Sequence, residues 1–225
     1  MRRPAILLIQ EIFGVNPHIQ DVASRYAAAG YVVVAPDLFY RTGEWQEYGY
    51  TDMAAPRPAL AALTEELVLG DIAAALDYLA EQPDVDPTRI GVVGFCFGGT
   101  MSFLTAATFS ARVKAAAVFY GGGIVTGKPN SPVERAGEIR CPVIAFFGGL
   151  DKHIPADAVA QIDTALGEAG VNRQVYLYPY ADHGFACDAR ASFNARAAQD
   201  AWHRVQRFFS AHLGPVPDVA WQEQG

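Results

Sequence analysis

The chain has 225 residues, 51% of them hydrophobic and 12% aromatic, with 24 acidic against 17 basic side chains and a formal net charge of −7. That content supports a buried core without staples and excludes a disordered chain, while an acidic balance with no basic stripe excludes a nucleic-acid-binding protein. No apolar stretch is long enough to span a bilayer, and three cysteines, none at CxxC or Cys/His metal spacing, point to a reducing cytoplasm and to no bound metal. Met1-Arg2-Arg3-Pro4 precedes an apolar run that ends at Gln10-Glu11 with no small-residue cleavage site, so residues 5–9 read as a strand rather than a signal peptide. Asn16 caps and Pro17 opens a helix that Gly30 stops, and residues 31–35 form a second strand. Residues 36–58 are aromatic, proline-containing and irregular. Residues 59–82 form one long amphipathic helix, with Leu60, Leu63, Leu67, Ile72, Leu76 and Leu79 near helical spacing. Further strands are expected at 90–93, 113–120, 143–147 and 173–178, with helices at 100–109, 156–167 and 193–212 and a poorly ordered tail at 214–225. This alternation predicts a single α/β domain over 1–225, with a mostly parallel central sheet and helices on both faces. In such sheets ligands bind at the carboxyl ends of the strands.

The most informative segment is Gly94-Phe95-Cys96-Phe97-Gly98. A β-branched run ends in a glycine, a cysteine stands at the apex, and a second glycine opens an apolar helix. Gly-x-Cys-x-Gly is the cysteine form of the nucleophile elbow of α/β-hydrolases. Strand and helix approach so closely that a Cβ at either glycine would clash, and the turn strains the backbone of the residue between them. The strain lifts the sulfur out of the sheet to a helix N-terminus, where the dipole favours a thiolate and the next amide can bind an oxyanion.

The expected partners of the thiol follow later strands. Asp151 lies in the turn after strand 143–147, and His183 in the loop after strand 173–178. Nucleophile, acid, histidine is the chain order of α/β-hydrolases and differs from that of chymotrypsin-like and subtilisin-like enzymes. His18, His203 and His212 fall on predicted helices, where a solvated face is the simpler reading. Asp182 adjoins His183 and cannot easily orient its ring. Glu11, directly after the first strand, stands either at the active-site rim or in an ordinary solvated loop.

Six segments carry a wider resemblance: Gln10-Glu11-Ile12-Phe13-Gly14-Val15-Asn16, Ala35-Pro36-Asp37-Leu38-Phe39, Gly70-Asp71-Ile72, Gly94 to Gly99, Gly148-Gly149-Leu150-Asp151 and His183-Gly184-Phe185. In this order, almost from end to end, the chain resembles the dienelactone hydrolases (carboxymethylenebutenolidases). The resemblance implies an α/β-hydrolase fold, a Cys96–His183–Asp151 triad and no cofactor. It also implies that Glu11 contacts the resting thiol until substrate displaces it, and that the amides of Ile12 and Phe97 form the oxyanion hole. The substrate implied is a small ester or lactone, cleaved through an acyl-thioester by a monomer or small homo-oligomer. Phe13, Phe39, Tyr40, Trp45, Tyr120 and Phe185 are the expected pocket aromatics. The substrate match is weaker than the chemical one. Where relatives that act on the diene lactone carboxylate carry an arginine, this chain has Cys187 followed by Asp188, and Arg57 is the nearest candidate for a second anion-binding cation. The expected substrate is therefore a neutral activated ester. A thioesterase or carboxylesterase with the same triad, and a non-enzymatic thiol sensor, are the alternative readings.

Overall fold

A computed structural model describes residues 2–216 of the protein. The apolar runs form six strands: β1 (Arg3–Ile9), β2 (Val32–Val34), β3 (Val85–Phe95), β4 (Ala115–Phe119), β5 (Val143–Gly148) and β6 (Arg173–Tyr178). They lie in one sheet in the order β2-β1-β3-β4-β5-β6, and every strand pairing is parallel. Ile6, Leu7, Leu8, Val92, Val93, Ala116, Ala117 and Ile144 are wholly buried. Continuous apolar strands are what a parallel sheet covered on both faces requires, and each large aliphatic side chain so buried contributes about 1.5–3 kcal/mol.

The covering helices are α1 (Pro17–Ala28), α2 (Arg57–Ala61), α3 (Glu65–Glu81), α4 (Phe97–Thr108), α5 (Ala156–Glu168) and α6 (Ala195–Leu213). Asn16 caps α1 by accepting a hydrogen bond from the Ile19 amide at 3.2 Å. On one face α1 meets α6, with Tyr26 against Trp202 and Phe209. On the other, α3 packs on α4, and α4 and α5 both pack on a short 3-10 segment at Pro132–Glu138. The strand order reverses between β1 and β3, so the crevice at their carboxyl ends is the topological switch point where α/β sheets bind ligands.

Two elements differ from expectation. The helix anticipated over 59–82 is two helices, because Thr64 leaves the helical path and caps α3 by accepting from the Leu67 amide at 3.2 Å. Strand β3 starts at Val85 rather than residue 90, since Val85 pairs with Arg3 across a register shift in β1. Residues 217–225 of the expected poorly ordered tail lie outside the described residues. Among the described residues no helix is long and apolar enough to cross a membrane.

Candidate active site

Cys96 stands between β3 and α4 with φ 56° and ψ −116°, a conformation costly for any residue with a Cβ. Its neighbours enforce it. A Cβ on Gly94 would overlap the Gly98 carbonyl, and one on Gly98 would overlap the carbonyl oxygens of Ile9 and Gln10 in the segment leaving β1. The Cys96 amide donates to the Phe119 carbonyl of β4 at 2.9 Å, and the Cys96 carbonyl accepts from Gly99 and Thr100 to start α4. The elbow is thus clamped between β1 and β4. Gly98→Ala is expected to destabilise the fold by about 3 kcal/mol or more, because backbone rather than a side-chain end must move. Denaturant midpoints measure this, and a loss below about 1 kcal/mol would show that the elbow can shift at little cost.

Asp151 and His183 converge on the thiol from the carboxyl ends of β5 and β6. His183 Nδ1 and Asp151 Oδ2 are hydrogen-bonded at 2.6 Å. The other carboxylate oxygen of Asp151 accepts from the His153 amide at 2.8 Å, which fixes the carboxylate in its turn. Burial pushes the Asp151 carboxyl up, but its hydrogen bond to His183 and the histidine's charge bring it below the ordinary range. Burial likewise opposes the His183 imidazolium, yet Asp151 and the adjacent Cys96 together raise its pKa to about 10. Asp182 spends an oxygen on its neighbour's backbone, accepting from the His183 amide at 2.6 Å. Tyr120 supports the imidazole from behind, ring to ring at 5.2 Å, and Phe185 supports Tyr120 at 5.3 Å.

Cys96 and His183 open on a cavity of about 740 Å³ that Ile12, Phe13, Phe97 and Thr100 also line. The Phe97 amide is the first of α4 and has no intrahelical partner. Ile12 follows Glu11 in the turn leaving β1. Glu11 is wholly buried rather than solvated. One carboxylate oxygen accepts from Arg190 Nη1 at 3.1 Å and the other from the Tyr50 hydroxyl at 3.1 Å. Burial works against the Arg190 cation, but Glu11, together with Tyr120, Cys96 and Cys187, raises it above the ordinary guanidinium range. Burial, then Glu11, raises the Tyr50 phenol.

Several expected site residues fall elsewhere. Tyr40 is 51% exposed, with its hydroxyl donating to Asp71 at 3.3 Å and its ring against Arg41, and it does not line the cavity. Arg57 begins the short helix α2 at the surface, also outside the cavity. Trp45 is 71% exposed, and Phe39 is buried in the core. Tyr120 and Phe185 are fully buried behind the histidine rather than at the cavity wall. His18, expected on a solvated face, is buried with its ring 5.7 Å from that of Phe95. Sequence reasoning missed Tyr50, Met53, Lys152 and Arg190 in the cavity wall; His153, which the sequence leaves open as a bystander or a secondary site residue, lines it too. Arg190, not the candidate Arg57, brings a guanidinium to the wall, and it sits seven residues beyond His183 in the same loop. Its proximity in the chain was the available signal; Tyr50, in an aperiodic segment, offered none.

Comparison with known proteins gives a consistent picture. A model of the "Dienelactone hydrolase family" matches residues 1–213. A Synechocystis sp. protein named "Putative carboxymethylenebutenolidase" is 42% identical over 215 residues, spanning 93% of this chain and 87% of its own. The crystal structure of a Klebsiella pneumoniae protein, given the same provisional status as a dienelactone hydrolase, matches with a TM-score of 0.84 at 34% identity, over 93% of this chain and 87% of the other. That of a dienelactone hydrolase-like promiscuous phosphotriesterase from metagenomic libraries matches with a TM-score of 0.78 at 25% identity, over 94% and 87%.

Proposed function

Because the chain belongs to the dienelactone hydrolase family, hydrolases of carboxylic esters and lactones with an α/β-hydrolase fold, we propose that it cleaves a small activated ester or lactone with Cys96 as nucleophile, His183 as base and Asp151 as the orienting acid. The observation that carries this reading is the 2.6 Å bond from His183 to Asp151 beside a thiol held at a strained elbow.

His183 takes the Cys96 proton through Nε2, since Nδ1 is committed to Asp151. The thiolate attacks the acyl carbon, and the carbonyl electron pair moves to an oxygen received by the Ile12 and Phe97 amides. Collapse breaks the acyl–oxygen bond, and the leaving alcohol or enol takes the proton from His183. Part of what holds that proton on the imidazole is Cys96 itself. Acylation removes the sulfur's charge, so the imidazolium becomes a better acid as the leaving group departs. Water, deprotonated by His183, then attacks the thioester, releases the acid and restores the thiol. The chemistry needs no metal or cofactor. Thiol nucleophiles suit leaving groups that depart without strong protonation, as an enol does. The three cysteines stand free, which supports a reducing, cytoplasmic setting.

Substrate charge is set by Glu11 and Arg190. A neutral substrate leaves their pair intact, whereas a substrate carboxylate must compete with Glu11 for the same guanidinium. A panel of aryl esters, acyl thioesters, a carboxylate-bearing diene lactone and its neutral ester tests the proposal. Turnover of activated esters with a transient acyl mass on the Cys96 peptide is expected. The neutral lactone should exceed the anionic one in kcat/KM by about one to two powers of ten, the worth of a charged hydrogen bond. No turnover across the panel, with reversible oxidation of Cys96, would favour a thiol sensor. Preference for the anionic lactone would mean that substrate displaces Glu11 from Arg190.

A further inference from the structure

We propose that Glu11, His18 and Cys187 form a binding site for one thiophilic divalent cation of the Zn²⁺ class, in the wall behind the hydrolytic cavity. A carboxylate oxygen of Glu11, a ring nitrogen of His18 and Cys187 Sγ lie within 4.8 Å of one another. Glu11 and Cys187 are fully buried and His18 is 7% exposed. A second observation is independent of the clustering. His18 Nε2 is sealed from solvent and has no hydrogen-bond partner among the described residues. A buried ring nitrogen left unsatisfied is costly, and a metal bond would satisfy it.

The donor set selects the ion. Thiolate, imidazole and carboxylate are the ordinary ligands of zinc, whereas Mg²⁺ and Ca²⁺ take oxygen shells. A divalent ion with one thiolate and one carboxylate is itself neutral, so binding leaves the charge of Arg190, which would then share Glu11 with the ion. On binding, the Cys187 S–H bond breaks, its proton passes to solvent, and the Sγ–metal bond forms without change of oxidation state. Donor atoms of a four-coordinate zinc stand about 3.3–3.8 Å apart, so the side chains need to close by at most about 1 Å. The fourth position falls to water or to the Tyr50 hydroxyl, which already donates to Glu11 at 3.1 Å. His18 also borders a surface cleft with Asp21, Arg25 and Asp188. Arg190 is the opposing charge, sharing the Glu11 carboxylate at 3.1 Å. A bound cation therefore draws that carboxylate away from the substrate side. Glu11 and His18 stand close in the chain but Cys187 lies near its far end, so no ligand spacing betrays the set.

The test uses Co²⁺ as a spectroscopic probe, in a Cys96→Ser background so that the thiol at the elbow cannot supply the signal. One equivalent of Co²⁺ should produce a near-ultraviolet thiolate-to-metal band that one equivalent of Zn²⁺ abolishes. Adding Cys187→Ser should remove the band. Adding His18→Ala instead should weaken Co²⁺ binding at least about tenfold. If Cys187→Ser unfolds the protein, as judged by circular dichroism, the His18→Ala titration decides alone. Absence of a thiolate band in the Cys96→Ser protein, a band that survives Cys187→Ser, or unchanged affinity in His18→Ala would each overturn the site.

Discussion

Cys96→Ala is expected to lower kcat/KM by about four to six powers of ten while leaving the fold intact, because the nucleophile contributes to every later step of the proposed reaction. Alkylation should give the same answer without a mutation. Cys141 is buried ahead of β5, and burial pushes its thiol up to about 12. Burial also raises the Cys187 thiol. Cys96 alone lines the reaction cavity. Loss of activity should therefore track the mass-mapped labelling of Cys96 one for one. Activity that survives complete labelling of that residue would remove it from the mechanism.

Asp151→Asn is expected to cost about two to four powers of ten in kcat/KM, the penalty of a base that has lost its orienting carboxylate and holds the wrong tautomer. The neighbouring change Asp182→Asn should cost far less, since Asp182 spends an oxygen on the His183 amide rather than on the ring. Stopped-flow rates for the two variants, with circular dichroism as the control for folding, decide the matter. A larger loss at Asp182 would reassign the acid.

What was readable in the chain was what is local. Gly94, Cys96 and Gly98 are bound to one turn by short-range sterics, so their roles follow from spacing, and the packing of the Gly98 position against the Ile9 and Gln10 carbonyls is the same steric rule seen in space. The strands were readable because a sheet buried on both faces demands unbroken apolar runs. The break at Thr64 was not, since Leu60, Leu63 and Leu67 keep helical spacing across it and only the cap betrays the interruption. The cavity wall was the least legible part. Tyr40 and Tyr50 belong to one aperiodic aromatic segment, and nothing local distinguishes the exposed ring from the one that reaches Glu11. Arg57 and Arg190 pose the same problem, because their positions are decided by how loops fold over the sheet. His18 shows the limit of a helical wheel, whose polar face can be covered by a loop from the far end of the chain.

The two halves of the proposed machinery hang on unequal supports. The thiol rides on β3, which is paired on both sides, by β1 and β4. The histidine rides on the loop after β6, one of the two edge strands, which among the described residues is paired by β5 alone. That loop is moored to its neighbour by the Gly149 amide on Tyr178 and the Leu150 amide on Ala181. An outer strand frays before an inner one. A molecule that opened at this margin would keep its sulfur, its oxyanion donors and nearly all its core, and still have no base. Its working lifetime is therefore that of its border and not of its centre, and reinforcement of the β5–β6 seam would extend activity without touching the thiol.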